Sequence, residues 1–237
     1  QTDFTQFNET ASVTTFFMSS ALAKGDSARV NYLPMQMRAT YDYLSTNVDV
    51  YLLQVAYDQA GKLRVGPNVD FHESVLAQGP KVIAQLNRRM VAPAGSLLMN
   101  PAQIDVLIEN DVSAPALMPA IIDDAALEIG RLVSRLIRDG DCLQTGIGAI
   151  PAALLNQLTD KNDLGMHGGL IDDGGMRLIQ QGILNGVRKA IDTGTHVTGM
   201  ALGSDDLMQW LATQRNVGVR GANHTHEGNA IRQLDGF

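Results

Sequence analysis

Residues 141–154 read DCLQTGIGAIPAAL, and the chemistry they suggest belongs to the main chain rather than to side chains. Gly146 and Gly148 stand between a short apolar stretch and Pro151, which opens an Ala/Leu-rich run. Glycine can take φ > 0 and lets a ligand approach the backbone with no Cβ in the way. Proline suits the first helical turn, where its missing N–H costs nothing. A strand that turns through such a loop into a helix leaves free N–H groups, which favour an anion or a developing oxyanion. The same residues also read as a tight strand-to-helix turn whose glycines serve close packing. Two phosphate-binding patterns are excluded. Ala149-Ile150-Pro151 stands where a dinucleotide fingerprint needs its third glycine, and no Gly-Lys-Ser/Thr follows.

Other residues invite chemistry less directly. Asn223-His224-Thr225-His226-Glu227 places two imidazoles and a carboxylate within five residues. On an extended strand, His-x-His with a neighbouring acid can bind zinc. No second ligand group stands out beyond the isolated His167, so no metal is expected. Asp123-Asp124, Asp172-Asp173 and Asp205-Asp206 each precede or open a helical pattern, where capping and helix-dipole placement account for them. Arg88-Arg89 reads as a solvated loop, with a phosphate contact as the alternative. The ten methionines read as core filling, and Cys142, the single cysteine, as a small buried hydrophobe.

The elements that must hold these residues alternate along the chain. In the first half the pattern predicts helices at 11–24, 35–46 and 70–78 and strands at 28–33, 48–55, 81–87 and 103–110, with a turn and short hairpin at 57–66. The run VDVYLLQV is apolar at successive positions, as a parallel strand covered on both faces should be. DVSAPALMP, at 111–119, reads as a linker, which divides the chain into an N-terminal unit 1–115 and a C-terminal unit 116–237. The second unit is predicted to run helix 120–138, strand 141–145, helix 151–158, strand 163–167, helix 174–181, strand 196–202, helix 204–213 and strand 216–220. Repeated strand–helix units imply an α/β fold with mostly parallel sheets and helices on both faces.

Composition agrees with that class. Apolar residues make up 45% of the 237, enough for a sizeable core, and the charged fraction is 18%. A net charge of -7 argues against nucleic acid or an anionic membrane surface as the main partner. No apolar stretch is long enough to span a bilayer, and QTDFTQFNET lacks the basic start and apolar core of a signal peptide. One cysteine cannot form an internal disulfide, so a cytoplasmic location is expected. Both ends fall in mid-pattern and the start lacks methionine, which reads as an excerpt from a longer chain.

Read together, several stretches resemble the acetyl-CoA hydrolase/acyl-CoA transferase family, which includes 4-hydroxybutyrate and succinyl CoA-transferases. They are DGDCLQTGIGAIPAALLNQL, DLGMHGGLIDDGGMRLIQQGIL and VTGMALGSDDLMQWL, preceded by YLPMQM, DVYLLQVAYDQAGKLRVGPNVDF, KVIAQLN and IDVLIEND in the family's order. The resemblance runs from about Ala28 to Phe237. It implies two similar open, mostly parallel α/β sheets flanked by helices, both incomplete in this chain, with the active site in the cleft between them. It further implies coenzyme A as substrate, in the form of an acyl-CoA, together with a small carboxylic acid. No metal, nucleic acid or membrane is expected, and a homo-oligomer is possible.

In this family a glutamate attacks the acyl-CoA thioester, and an enzyme–CoA thioester then passes CoA to an acid or to water. By the resemblance, Gly146, Ile147, Gly148 and Ala149 line the cleft as oxyanion or substrate contacts. Pro34, Met35 and Gln36 are candidates for the acyl group, and Asn223 and His226 for hydrogen bonds across the cleft. The glutamate itself is expected in a segment resembling I-N-S-A-x-E-x-D just after Phe237, so no catalytic nucleophile is assigned within the chain. Glu227 aligns with the turn before that segment and is not given the role. Gly169 stands where many members carry glutamate, which leaves room and removes a charge. Transfer to a carboxylate, hydrolysis, and non-catalytic acyl-CoA binding all stay open at this point.

Overall fold

A computed structural model describes Thr5 and residues 8–113 and 120–237. Most of the expected linker, and the expected boundary at 115/116, lie outside the described residues. The chain begins with β1 (Val13–Thr15), α1 (Ser20–Ala23), β2 (Val30–Tyr32) and α2 (Met37–Leu44). The helix expected over 11–24 is thus a strand followed by one helical turn. Val13-Thr14-Thr15 is β-branched throughout and stiff at χ1, and it pairs in parallel with β2 from Val13↔Val30 to Thr15↔Tyr32. Only after Ser19, whose Oγ accepts from the Leu22 N–H, does a helix start.

Next come β3 (Val50–Tyr57), β4 (Leu63–Val65), α3 (His72–Leu76), β5 (Lys81–Leu86) and β6 (Val106–Glu109). They form a four-stranded sheet of order β4-β3-β5-β6, parallel except at the β3–β4 hairpin. Asp58 makes that hairpin: its Oδ1 accepts from the N–H groups of Ala60 and Lys62, each at 2.9 Å, while Gly61 takes φ 73°. One face packs Val55, Val82, Ala84 and Leu86 into a core with Val65 and Met99. The other face departs from expectation. Leu52 is 68% exposed and Ile108 51%, so the apolar run of β3 reflects a sheet covered on one side only. Arg88 is held by Glu109 at 2.6 Å and Arg89 by the Ser113 hydroxyl, which is a local role for both.

The remaining elements are α4 (Asp124–Ser134), β7 (Cys142–Leu143), α5 (Ala149–Leu155), β8 (Gly165–Met166), β9 (Leu170–Ile171), α6 (Asp173–Gln180), β10 (His196–Thr198), β11 (Met200–Ala201), α7 (Asp205–Thr213), β12 (Val217–Val219), α8 (Ala222–Thr225) and α9 (Gly228–Ile231). Strands β7–β8, β10–β12 and β9–β11 pair in parallel, and a single parallel bridge at His167↔Val197 links β8 to β10. Leu155, Leu158, Leu164, Met166, Ile171, Leu178 and Leu207 are buried between these strands and their helices. Asp123 caps α4 and Asp172 caps α6, as expected; α7 is capped by Ser204, with Asp205 and Asp206 in its first turn.

The buried stripe of α4 is Ala126, Gly130 and Ser134, while Leu127, Ile129 and Leu132 are exposed. Gly130 sits against the α5 backbone, where a Cβ would come 2.9 Å from the carbonyl carbon of Ala153. Small residues are needed at that crossing, and the large ones are left outside. Among the described residues no helix is long and apolar enough to cross a membrane.

The strand expected over 196–202 is broken at Gly199, and the break joins the two halves. Val69 N–H donates to the Gly199 carbonyl at 3.1 Å, Ala201 N–H to Pro67 at 2.9 Å, and Ala222 N–H to Asp70 at 2.7 Å. A Cβ at Gly199 would lie 2.0 Å from Asp70 Oδ1. Asp70 is 4% exposed, and its Oδ1 has no hydrogen-bond partner among the described residues. Burial therefore pushes its carboxyl up to about 6. The folded chain holds this proton more tightly than the unfolded chain does, so the contribution to stability is complete below about pH 4 and lost as pH rises through 6. The full swing is about 3 kcal/mol. Urea unfolding at pH 5 and pH 8 should show the stability gap between wild type and Asp70→Asn changing by up to that amount. A gap independent of pH would remove Asp70 from the linkage.

Candidate active site

The glycine loop begins where β7 ends. Beyond Leu143, Gln144 and Thr145 lead into Gly146, Ile147 and Gly148, and Gly148 is the N-cap of α5. Gly148 has φ 130° and ψ -176°, a region open essentially to glycine alone. Gly146 is not in the left-handed region, so only one of the pair requires glycine by conformation. Neither glycine has an atom within 4 Å of where a Cβ would be, and Ile147 is 70% exposed. These glycines therefore do not serve close packing. Among the described residues, the N–H groups of Gly146, Ile147 and Gly148 donate no backbone hydrogen bond. Pro151 falls in the first turn of α5, which starts at Ala149 rather than at 151. Cys142 in β7 is buried, and burial pushes its thiol up to about 11, as befits an inert side chain.

Ile147 and Gly148 line a cleft of about 320 Å³ with Leu170, Asp172, Arg177 and Ser204. A row of close approaches runs from the loop toward the first half of the chain. A Cβ at Gly168 would meet Gln144 Cγ at 2.8 Å, and one at Gly169 would meet His226 Cε1 at 2.5 Å. His226 Nδ1 pairs with the Thr225 hydroxyl at 2.8 Å. Burial holds the imidazole pKa below its ordinary value, so this ring is neutral at pH 7. Glu227 then meets the Arg38 guanidinium on α2 at 3.0 Å. Gln36 is the N-cap of α2, with its carbonyl accepting from the Thr40 hydroxyl at 3.2 Å.

The sequence candidates thus fall into two sets. Gly146–Ala149 and His226 lie along this row through Gln144, Gly168 and Gly169. Asn223 is exposed on α8, folded back on Gly221, with no hydrogen bond across the cleft among the described residues. Pro34 and Gln36 are exposed and Met35 is half-buried, and no polar contact joins the three to the glycine loop. Residues 222–225 are helical rather than extended, which sends the two histidines apart. His224 turns to Asp192 at 2.7 Å, while His226 turns to Gly169. Arg38 and Gln144 were invisible as site residues in the sequence, because their partners are remote and no local motif marks them.

No protein-family model matches the chain. Individual proteins do. The 4-hydroxybutyrate coenzyme A transferase of Clostridium kluyveri is 31% identical over 214 residues, which is 89% of this chain and 50% of that protein. The succinyl-CoA:cyclohexane-1-carboxylate CoA transferase of Geobacter metallireducens is 30% identical over 205 residues, 86% of this chain and 47% of its own length. Among solved structures, the 4-hydroxybutyrate CoA-transferase of Porphyromonas gingivalis superposes with a TM-score of 0.83 at 27% identity, over 98% of this chain and 62% of that one. The chain spans about half the length of the curated relatives it matches. In sequence and in fold, it is a relative of the CoA-transferases.

Proposed function

We propose that the protein carrying this chain is an acyl-CoA:carboxylate CoA-transferase that works through a glutamyl-CoA thioester. The observation that carries this reading is the similarity to the 4-hydroxybutyrate enzyme across nearly all of the chain. The row of Gln144, Gly168, Gly169 and His226 beside an open glycine loop supports it. In the proposed sequence a glutamate oxygen attacks the thioester carbonyl, and the tetrahedral oxyanion collapses by expelling CoA thiolate. The thiolate then attacks the glutamyl carbonyl of the mixed anhydride and releases the first acid. A second carboxylate runs the same steps in reverse and leaves as the new acyl-CoA.

Each tetrahedral stage puts negative charge on oxygen, and preorganised N–H donors stabilise it. The amides of Gly146, Ile147 and Gly148 are proposed for that task, with Ala149 completing the wall. The glutamate is expected just beyond Phe237. The Gly236 carbonyl accepts from Cys142 N–H at 2.9 Å, which sets the end of the chain beside β7. His226 occupies the space that a side chain at 169 would need, which makes Gly169 the proposed determinant of acyl or acceptor choice.

Incubating the full-length protein with acyl-CoA, trapping with borohydride and mapping peptides should locate a modification on one glutamate beyond Phe237. Its absence with every acyl-CoA tried overturns the covalent mechanism. Gly148→Val forces a side chain into φ 130° and should cost about 1–3 kcal/mol in thermal unfolding, together with most of the transfer rate, whereas Gly146→Ala should be close to wild type in stability. Gly169→Glu should change the ratio of kcat/KM between acetyl-CoA and a longer acyl-CoA at least tenfold, about 1.4 kcal/mol of discrimination. An unchanged ratio removes Gly169 from selectivity.

A further inference from the structure

Three residues that the proposed transfer chemistry does not use converge behind the active-site row. His167 follows β8, Asp192 lies in the loop before β10, and His224 belongs to α8. One ligand atom from each can be chosen so that all lie within 4.8 Å of one another. We propose that His167 Nδ1, Asp192 Oδ2 and His224 Nε2 form a site for a divalent transition metal of the zinc type, with solvent in a fourth position. This proposal does not rest on the CoA-transferase reading.

The protonation pattern around His167 carries it. Its side chain is fully buried, and its Nε2 lies 3.1 Å from the His224 carbonyl. A carbonyl only accepts, so Nε2 carries the proton and Nδ1 is left as a bare lone pair. That Nδ1 has no hydrogen-bond partner among the described residues. It faces Asp192 Oδ2 at 3.9 Å, which is also an acceptor. A fully buried lone pair turned toward a carboxylate oxygen that also meets His224 Nε2 is the arrangement of a cation site. An imidazole whose other N–H is fixed by a backbone carbonyl has the arrangement typical of a metal-ligating histidine.

The other two groups complete the donor set. His224 Nε2 lies 2.7 Å from Asp192 Oδ2, and a metal would take the place of the proton they share. Bond lengths near 2.0–2.2 Å require the ligand atoms to shift by roughly half an ångström to one ångström. Asp192 is held at φ 51°, an uncommon backbone state for a residue other than glycine. The His224 and Asp192 side chains are 35% and 25% exposed, which leaves a path for the ion and a place for water. The Lys189 ammonium, held by the carbonyls of Met166 and Thr195, is the opposing charge. It sets the affinity below that of a closed four-cysteine site. Such a metal would tie α8, and with it His226, to the end of β8.

The test uses the full-length protein stripped with EDTA and titrated with Co2+. One equivalent should bind with micromolar or tighter affinity, give the visible absorption bands of four-coordinate cobalt and be displaced by Zn2+. Asp192→Asn and His224→Gln should each weaken binding at least tenfold, while His226→Gln leaves it unchanged. Wild-type 1H–15N spectra provide a measurement that does not depend on variants folding: Zn2+ should shift His167 Nδ1 and His224 Nε2. The proposal is overturned by the absence of saturable one-equivalent binding, by binding that survives both substitutions, or by imidazole shifts confined to other histidines.

Discussion

Backbone pairing between residues 67–70 and the segments 199–201 and 221–222 is the constraint on which the candidate site depends. It lays the turn after β4 along the edge of β11 and fixes the start of α8. With the packing of α2 on α8, it holds the segment that carries His226. The join requires glycine at 199 and buries Asp70 beside it without a partner for Oδ1. An unpaired buried carboxylate is costly, and its retention shows how tightly the two backbones must approach. The Arg38–Glu227 pair on the exposed rim adds little by comparison.

The chemistry proposed at the glycine loop needs no charged side chain within the loop itself. Gly148 alone supplies the unusual backbone conformation, and no atom lies within 4 Å of where a Cβ at Gly146 or Gly148 would be. Neutral His226 and the absence of a side chain at Gly169 then shape the neighbouring wall. Arg177 brings a positive charge to the cleft lining, and Arg38 lies apart from it, paired with Glu227.

Much of this was legible locally. Turn chemistry at Asp58 and Gly61, caps at Asp123 and Asp172, and the strand–glycine–helix order at 142–155 are short-range signals, and the structure repeats them. The errors share one cause. Val13-Thr14-Thr15 was read inside a helical pattern because its strand partner lies beyond the window. The apolar run of β3 reads as covered on both faces because periodicity gives the faces of an element but not which face is covered. The helix at 222–225 rules out the extended His-x-His alternative, and the approach of His167 to Asp192 and His224 is a product of topology. Gln144 and Arg38 carry no local signature, since each matters only through a contact more than twenty residues away.

Gly130 has a mechanical meaning as well. Where α4 crosses α5 the two backbones touch without an intervening side chain, and α5 carries Gly148 at its start. Interdigitated side chains can slip by changing rotamers, whereas main chain seated on main chain has no such slack. The wall of the cleft formed by α5 is therefore anchored. Any widening of the cleft must come from its other lining residues, such as Leu170, Asp172 and Ser204.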